Sequence, residues 1–365
     1  MKKIAIIGSG SAASLTAISL YRFLKDECEV EIYHDSKIAI EPVGQATLLT
    51  TPKLFFDAFD WSWYDNPIKA KFKTGASYEN WGKKNHNFFH GFPMSAVGMH
   101  FIPSLLSEFL LNCGIFKVTE KYITNPEEEI DADWIYDCRG RSEIDYTEYQ
   151  DVTNPLNAVV LGKSEDVDPN LSYTKCVATP DGWTFVIPNH DSTSYGYLYN
   201  STVTSTELAE FNLRALFGVS PTRSLNFKNY RAKSVWSGEK TILNGNRYAF
   251  VEPLEASSMA MYQYIMEMTA QTIFRGESPH LVDHKINNHL NGIETFLLWH
   301  YQYGSKYDTP FWEYAKSLPF KMDDDFKFNI DYAKSYDVKY LNENPKFYSQ
   351  WNSYNIRNWL DNVAT

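Results

Sequence analysis

Apolar positions change period twice within the first forty residues. Residues 3–7 form a short apolar run of the kind a buried parallel strand needs. The run stops at Gly8-Ser-Gly10-Ser11-Ala12-Ala13. Leu15, Ile18, Leu20 and Phe23 then recur at roughly helical spacing and predict a helix ending near Phe23. Residues 29–33 read as a second strand, with Asp35 just beyond it. An amphipathic helix is predicted over 104–113, and a strand over 133–138 that enters a turn at Gly140. Residues 155–235 are rich in Tyr, Thr, Val and Ser and predict an antiparallel sheet. A strand over 248–251 leads through Pro253-Leu254-Glu255-Ala256-Ser257-Ser258 into a long helix reaching about Phe274. From about Val282 the pattern is helical and aromatic, without internal repeats or low-complexity linkers.

These elements predict an α/β chain. A Rossmann-like dinucleotide-binding domain is interleaved with a mostly antiparallel β-sheet substrate region and followed by a helical C-terminal part. The expected boundaries are 1–150 for the first part of the dinucleotide domain and 151–235 for the sheet region. Residues 236–280 are its second part, and 281–365 the helical region. Gly8 and Gly10 permit a tight turn and close backbone approach to a pyrophosphate. The following helix offers free N–H groups and a positive dipole end. Ala13, at the third glycine place, still allows close helix packing, and Asp35 can accept from ribose hydroxyls. A Gly-rich turn that holds no ligand is the alternative.

Composition narrows the picture. At 365 residues the chain is long enough for about two lobes. Its 34 Lys+Arg against 45 Asp+Glu give a net charge of −11, which argues against nucleic acid or anionic membrane as partners. Cys28, Cys113, Cys138 and Cys176 match no zinc spacing, so no metal site is expected and a reduced, cytoplasmic setting is. The uncharged stretch 4–21 could pass for a signal peptide, but its glycines and serines fit a nucleotide-binding turn better. Aromatic content of 16% fits either a stacked pocket or ordinary core filling.

Several segments, in order, carry a specific resemblance. They are Gly8-Ser-Gly10-Ser-Ala-Ala13, Val43-Gly44-Gln45-Ala46-Thr47, Lys73 with Trp81, and His90-Gly-Phe92. Asp137-Cys-Arg-Gly140, Gly182-Trp183-Thr-Phe185-Val-Ile187-Pro188 and Phe250-Val-Glu252-Pro253-Leu254-Glu255 follow. His300-Tyr301 with Asp308-Thr-Pro310-Phe311-Trp312 completes the set. Over nearly the whole chain the sequence resembles the flavin-dependent halogenases of the tryptophan halogenase family, and is closest to short members without the C-terminal substrate clamp.

The resemblance implies FAD, used as FADH2 from a separate flavin reductase, with O2 and a halide ion. It implies that hypohalous acid reaches Lys73, which passes the halogen to a small electron-rich aromatic substrate, and that Glu255 is the second catalytic group. Cofactor contacts are implied for Gly8, Gly10, Ser11, Ala12, Ala13, Asp35, Gln45, Ala46, Val159, Asn246 and Met259, and halide contacts for Ser257 and Ser258. His90, Phe92, Trp183, Phe185, Ile187 and Pro188 are implied to line the substrate site or the passage to it, with Trp81 also beside that passage. Each has a plainer reading. Lys73 can be a surface lysine beside Lys69 and Lys71, and Glu255 an acid placed for a helix dipole. Ser258 can be only a helix cap, the aromatics only core, and His90 only structural.

The sequence departs from the family at four places. Gln45 stands for the usual glutamate, and Phe185 for the second tryptophan. Ala256-Ser257-Ser258-Met259 replaces Ser-Thr-Gly-Ile, and Asn246-Arg247-Tyr248 a small apolar run. The altered loop suggests bromide or iodide over chloride. The reduced C-terminal part suggests an open site for varied phenols, indoles or anilines. An aromatic monooxygenase on the same scaffold and a non-catalytic FAD-binding protein are the competing readings, and a homo-oligomer is left open.

Overall fold

The computed structural model describes all residues except 41–42, 48, 85–86, 93–95, 142–143, 336–350, 352 and 365. Its first strand, Lys2–Ile7, is an apolar run with neighbours on both sides. It pairs in parallel with Cys28–His34 and with Trp134–Asp137. Lys117–Glu120 and Thr241–Leu243 complete a five-stranded parallel sheet, one at each edge. The chain therefore leaves this sheet after Trp134–Asp137 and returns to it about a hundred residues later, which is the expected interleaving. Helix Ser11–Leu24 follows the Gly-rich turn, and every residue from Ser11 to Leu20 is buried. It packs on helix Ser257–Arg275 as well as on the sheet.

Gly8 has a second reason to be glycine. Its φ is +115°, and a Cβ there would lie 2.7 Å from the Cys138 carbonyl oxygen on the neighbouring strand's exit. The turn is thus shaped by the Asp137-Cys-Arg-Gly140 segment as well as by what it could bind.

The second sheet has seven strands, in the order Pro221–Asn226, Ala158–Ser164, Thr193–Tyr199, Gly182–Pro188, Thr174–Thr179, Gly75–Glu79 and Phe88–Gly91. All neighbours are antiparallel except Thr174–Thr179 with Gly75–Glu79. Helix Thr206–Phe217 interrupts the stretch expected to be sheet alone. Its buried stripe is only Ala209 and Leu213, too narrow to outweigh the β-formers around it. Its ends are marked all the same. Ser205 Oγ accepts from the Leu208 N–H, and Gly218 closes the helix at φ +68°.

Two small sheets place the chemistry. Gln45–Ala46 and Lys71–Lys73 flank Gly98–Phe101, setting Gln45 opposite Phe101 and Lys73 opposite Gly98. Tyr149–Asp151, Tyr230–Ala232 and Ala249–Phe250 form the other, which delivers the chain to Glu252 and Glu255. The C-terminal part is helical: Pro279–Gln302, Pro310–Ser317, Asp324–Ser335 and Ser353–Val363. Much of the aromatic excess is packed here, with Trp299, Trp312 and Trp359 fully buried. Among the described residues, no helix is long and apolar enough to cross a membrane.

Candidate active site

Two cavities meet beneath the sheets. A groove of about 260 Å³ runs along the Gly-rich turn and is lined by Gly8, Gly10, Ser11, Ala12 and Asp35. A deeper cavity of about 330 Å³ holds Lys73, His90, Trp183, Phe185 and Glu255. Gln45, Arg141, Asn246 and Tyr262 line both, so the two adjoin across these four residues.

The groove fits a dinucleotide. The helix starting at Ser11 has no side-chain cap at Gly10, so its first N–H groups are left for a ligand. A Cβ at Gly10 would meet nothing within 4 Å, as expected where the backbone borders open space. Ala13, in the first turn of this helix, is fully buried. Ser11 Oγ donates to Gln45 Oε1 at 2.7 Å, and Tyr262 OH to Asn246 Oδ1 at 2.7 Å, so two lining amides are fixed by named partners. Below the groove, buried Asp137 takes Arg139 in a two-pronged ion pair and Arg247 through Nε at 3.1 Å. This anchoring role was not apparent in the sequence, which showed only an acid before a glycine turn.

Lys73 is not a surface lysine. It is 6% exposed, unlike Lys69, which pairs with Asp191 at the surface. Its Nζ stands 5.4 Å from the Phe92 ring centroid. Burial lowers its pKa below the ordinary lysine value, against smaller opposing effects of Cys176 and Glu255. Burial also pushes the neighbouring Cys176 thiol up to about 12, which holds it as the less reactive thiol. His90 is lowered to about 3, by burial first and His300 second, and is neutral near pH 7.

Glu255 is held in a strained backbone. Its φ is +67° and that of Ala256 is +52°, two consecutive left-handed residues without glycine. This bend turns the chain into helix Ser257–Arg275 and puts Glu255, Ala256, Ser258 and Met259 on the cavity wall. Glu255 Oε2 accepts from Trp351 Nε1 at 2.6 Å. Its Oε1 faces His300 Nε2 at 3.5 Å, while His300 Nδ1 donates to the Phe296 carbonyl at 2.7 Å.

Ala46, Val159, Phe92 and Ile187 also line the deep cavity. Four expected residues lie elsewhere. Ala13 is fully buried within its helix and lines neither cavity, so it serves packing. Ser257 is fully buried and donates to the Leu254 carbonyl at 3.1 Å, so its hydroxyl serves the bend. Pro188 is buried in its strand, outside the lining. Trp81 does not border the cavity. Its Nε1 donates to the Cys176 carbonyl at 3.0 Å, and its ring packs on Tyr301, Trp312 and Trp359.

Glu252 was quoted only as part of a motif, yet it organises one wall. It is completely buried and accepts from Trp183 Nε1 at 2.8 Å, Tyr301 OH at 2.6 Å and Asn154 Nδ2 at 3.3 Å. Burial raises its pKa, and these donors act in the other direction. Glu252→Ala should lower stability by about 3 kcal/mol, because it strands buried donors. The denaturant midpoint would report this, and Glu252→Gln should cost less. An unchanged midpoint in the alanine variant would show that the donors find other partners.

The C-terminal part, expected to be too reduced to enclose a substrate, does reach the site. Trp351 and Asn355 both line the deep cavity. No periodicity marks Trp351 in the sequence, and residues 336–350 of that tail lie outside the described residues.

The family model for tryptophan halogenase matches residues 3–110 and 117–362. The tryptophan 6-halogenase SttH of Streptomyces toxytricini is 21% identical, over 86% of this chain and 81% of that protein. Among solved structures, the flavin-dependent halogenase Xcc4156 of Xanthomonas campestris superposes with a TM-score of 0.77 at 18% identity. It covers 91% of this chain and 83% of its own. Tar14, a tryptophan C-6 flavin-dependent halogenase from taromycin biosynthesis, gives 0.82 at 19%, over 100% and 90%.

Proposed function

The chain belongs to the tryptophan halogenase family, flavin-dependent enzymes that halogenate aromatic rings, and on that premise we propose that Lys73 and Glu255 are its catalytic pair. The observation that carries the reading is that both side chains line one cavity, which adjoins the dinucleotide groove at Gln45, Arg141, Asn246 and Tyr262. The residues present fit FAD. The groove would take its pyrophosphate at the Ser11–Leu24 helix start and its ribose near Asp35. When bound, the reduced cofactor supplies, with O2, the oxidation of halide to hypohalous acid.

The remaining work belongs to the chain. Lys73 receives the oxidant from the flavin side, by hydrogen bond or as a haloamine. The lowered pKa favours the uncharged amine that haloamine formation requires. Glu255 takes the ring proton or polarises the halogenating species. Trp183 and Phe185 line the deep cavity, where they would bar the substrate from the flavin, with Trp183 fixed by Glu252. The start of helix Ser257–Arg275 has no side-chain cap, so its first N–H groups suit a halide, with Ser258 on the cavity side. A separate reductase supplies FADH2, and the cytoplasm is the proposed compartment.

The test supplies FADH2 through a reductase, with O2, equimolar halides and an electron-rich arene. Halogenated product, with bromide or iodide favoured over chloride, is the expected result. Chloride preference would overturn the halide assignment. Hydroxylated product would point to a monooxygenase, and bound FAD without product to a non-catalytic protein. The pH profile offers a further check. A lysine with a lowered pKa is uncharged at lower pH than a free one, so the halogenation rate should rise with pH and level off below 10.5. A rate still climbing through that value would count against an uncharged Lys73.

A further inference from the structure

Trp351 enters the deep cavity from the C-terminal part and is only 6% exposed. Its ring centroid lies 4.4 Å from that of His90, 5.0 Å from Phe296 and 5.2 Å from His300. Its single donor, Nε1–H, is given to Glu255 Oε2 at 2.6 Å. An indole is therefore clasped between aromatic walls, hydrogen-bonded to the proposed catalytic carboxylate, in the cavity that holds Lys73. Around it stand buried polar atoms without a hydrogen-bond partner among the described residues. They are both ring nitrogens of His90 and the Tyr78 hydroxyl. An unpaired buried polar atom is costly, so these mark where a ligand with more polar groups than an indole side chain would be held.

We propose that Trp351 is an internal halogen acceptor. Held with its N–H on Glu255, the chain's own indole takes the halogen when no small substrate displaces it. The proposal rests on the lysine-centred halogenation above, and its oxidant is the hypohalous acid of that reaction. A ring carbon of Trp351 donates an electron pair to the halogen. The bond between halogen and Lys73 Nζ, or the oxygen held there, breaks and leaves its pair on nitrogen or oxygen, which takes up a proton. The carbon–hydrogen bond then returns its electrons to the ring and releases its proton through Glu255. Halogen is reduced by two electrons and the ring carbon is oxidised by two. A small substrate that pairs the stranded atoms of His90 and Tyr78 competes for the same place, so self-halogenation is confined to substrate-free turnover.

The experiment runs the full chain with FAD, a flavin reductase, bromide and O2, without an arene, and maps bromine by peptide mass spectrometry. One bromine is expected in the peptide carrying Trp351. It should be suppressed by saturating indole and lost in both Trp351→Phe and Lys73→Ala, with bound FAD showing that each variant is folded. Trp61 and Trp63, which lie outside the cavity, should stay unmarked. Bromine spread over these tryptophans and kept in Lys73→Ala would mean free hypohalous acid and would overturn the proposal. Bromoindole formed with Trp351 unmarked in the substrate-free run would overturn this inference alone. Absence of bromine from both indole and chain would overturn the halogenase reading and this inference with it.

Discussion

Lys73→Ala should reduce halogenation by on the order of 10³-fold while leaving FAD bound. The size follows from what the amine is asked to do. It must hold a small, reactive oxidant in a buried cavity and aim it at one ring, and a preorganised donor in such a site acts without solvent reorganisation. Among the described residues, no other lysine lines the deep cavity. Retention of FAD follows from placement, because Lys73 borders the deep cavity and is absent from the groove wall that carries Gly8, Gly10 and Asp35. The alanine should also remove an energetic liability. A buried amine with a lowered pKa is charged in the unfolded chain and disfavoured as a charge in the folded one. Below the ordinary lysine pKa the variant should then be at least as stable as the wild type. Product by mass spectrometry, flavin absorbance and a denaturant midpoint, measured on one preparation, check all three statements. An undiminished product rate would end the catalytic assignment, and lost FAD would show that Lys73 also shapes the groove.

How much of this was legible in the sequence depends on the kind of signal. The Gly-rich turn, its flanking strands and the return of the chain at Thr241–Leu243 were readable, because apolar runs and helical spacing are local. Helix Thr206–Phe217 was not. Its buried stripe is two residues wide, and only Ser205 and Gly218 announced it. Resemblance singled out Lys73, but its own pattern could not, since Lys69 and Lys71 stand beside it at the same two-residue spacing. What separates them is burial: Lys73 is 6% exposed and lines the deep cavity, whereas Lys71, on the same strand, does not. Trp81 shows the converse. Its spacing from Lys73 carried the resemblance, yet the structure assigns that ring to the core. Glu252, His300 and Trp351 act through contacts across 45 to 96 residues of chain, and no local pattern encodes those.

The second large effect is expected at Glu255. Glu255→Gln should lower the halogenation rate by about 10²- to 10⁴-fold, the usual span for loss of a positioned acid or base. Glutamine keeps the shape and leaves a carbonyl oxygen for the Trp351 N–H, so the cavity should stay assembled. The backbone gives the variant a useful companion. A non-glycine residue in the left-handed region costs roughly 1–2 kcal/mol, and Glu255 is held there at φ +67°. Glu255→Gly relieves that cost while deleting the carboxylate, so it should lose activity without a matching loss of stability. A site that pays backbone strain for its carboxylate is one where the carboxylate's position matters more than local stability. The kinetics separate its two possible tasks. If Glu255 takes the ring proton, its removal makes that step slow, and a ring-deuterated arene should show a primary isotope effect in Glu255→Gln that is absent from the wild type. If it polarises the halogenating species, the rate falls with no isotope effect. A glutamine variant with undiminished rate would exclude both tasks and leave Glu255 as a hydrogen-bond acceptor for Trp351 alone.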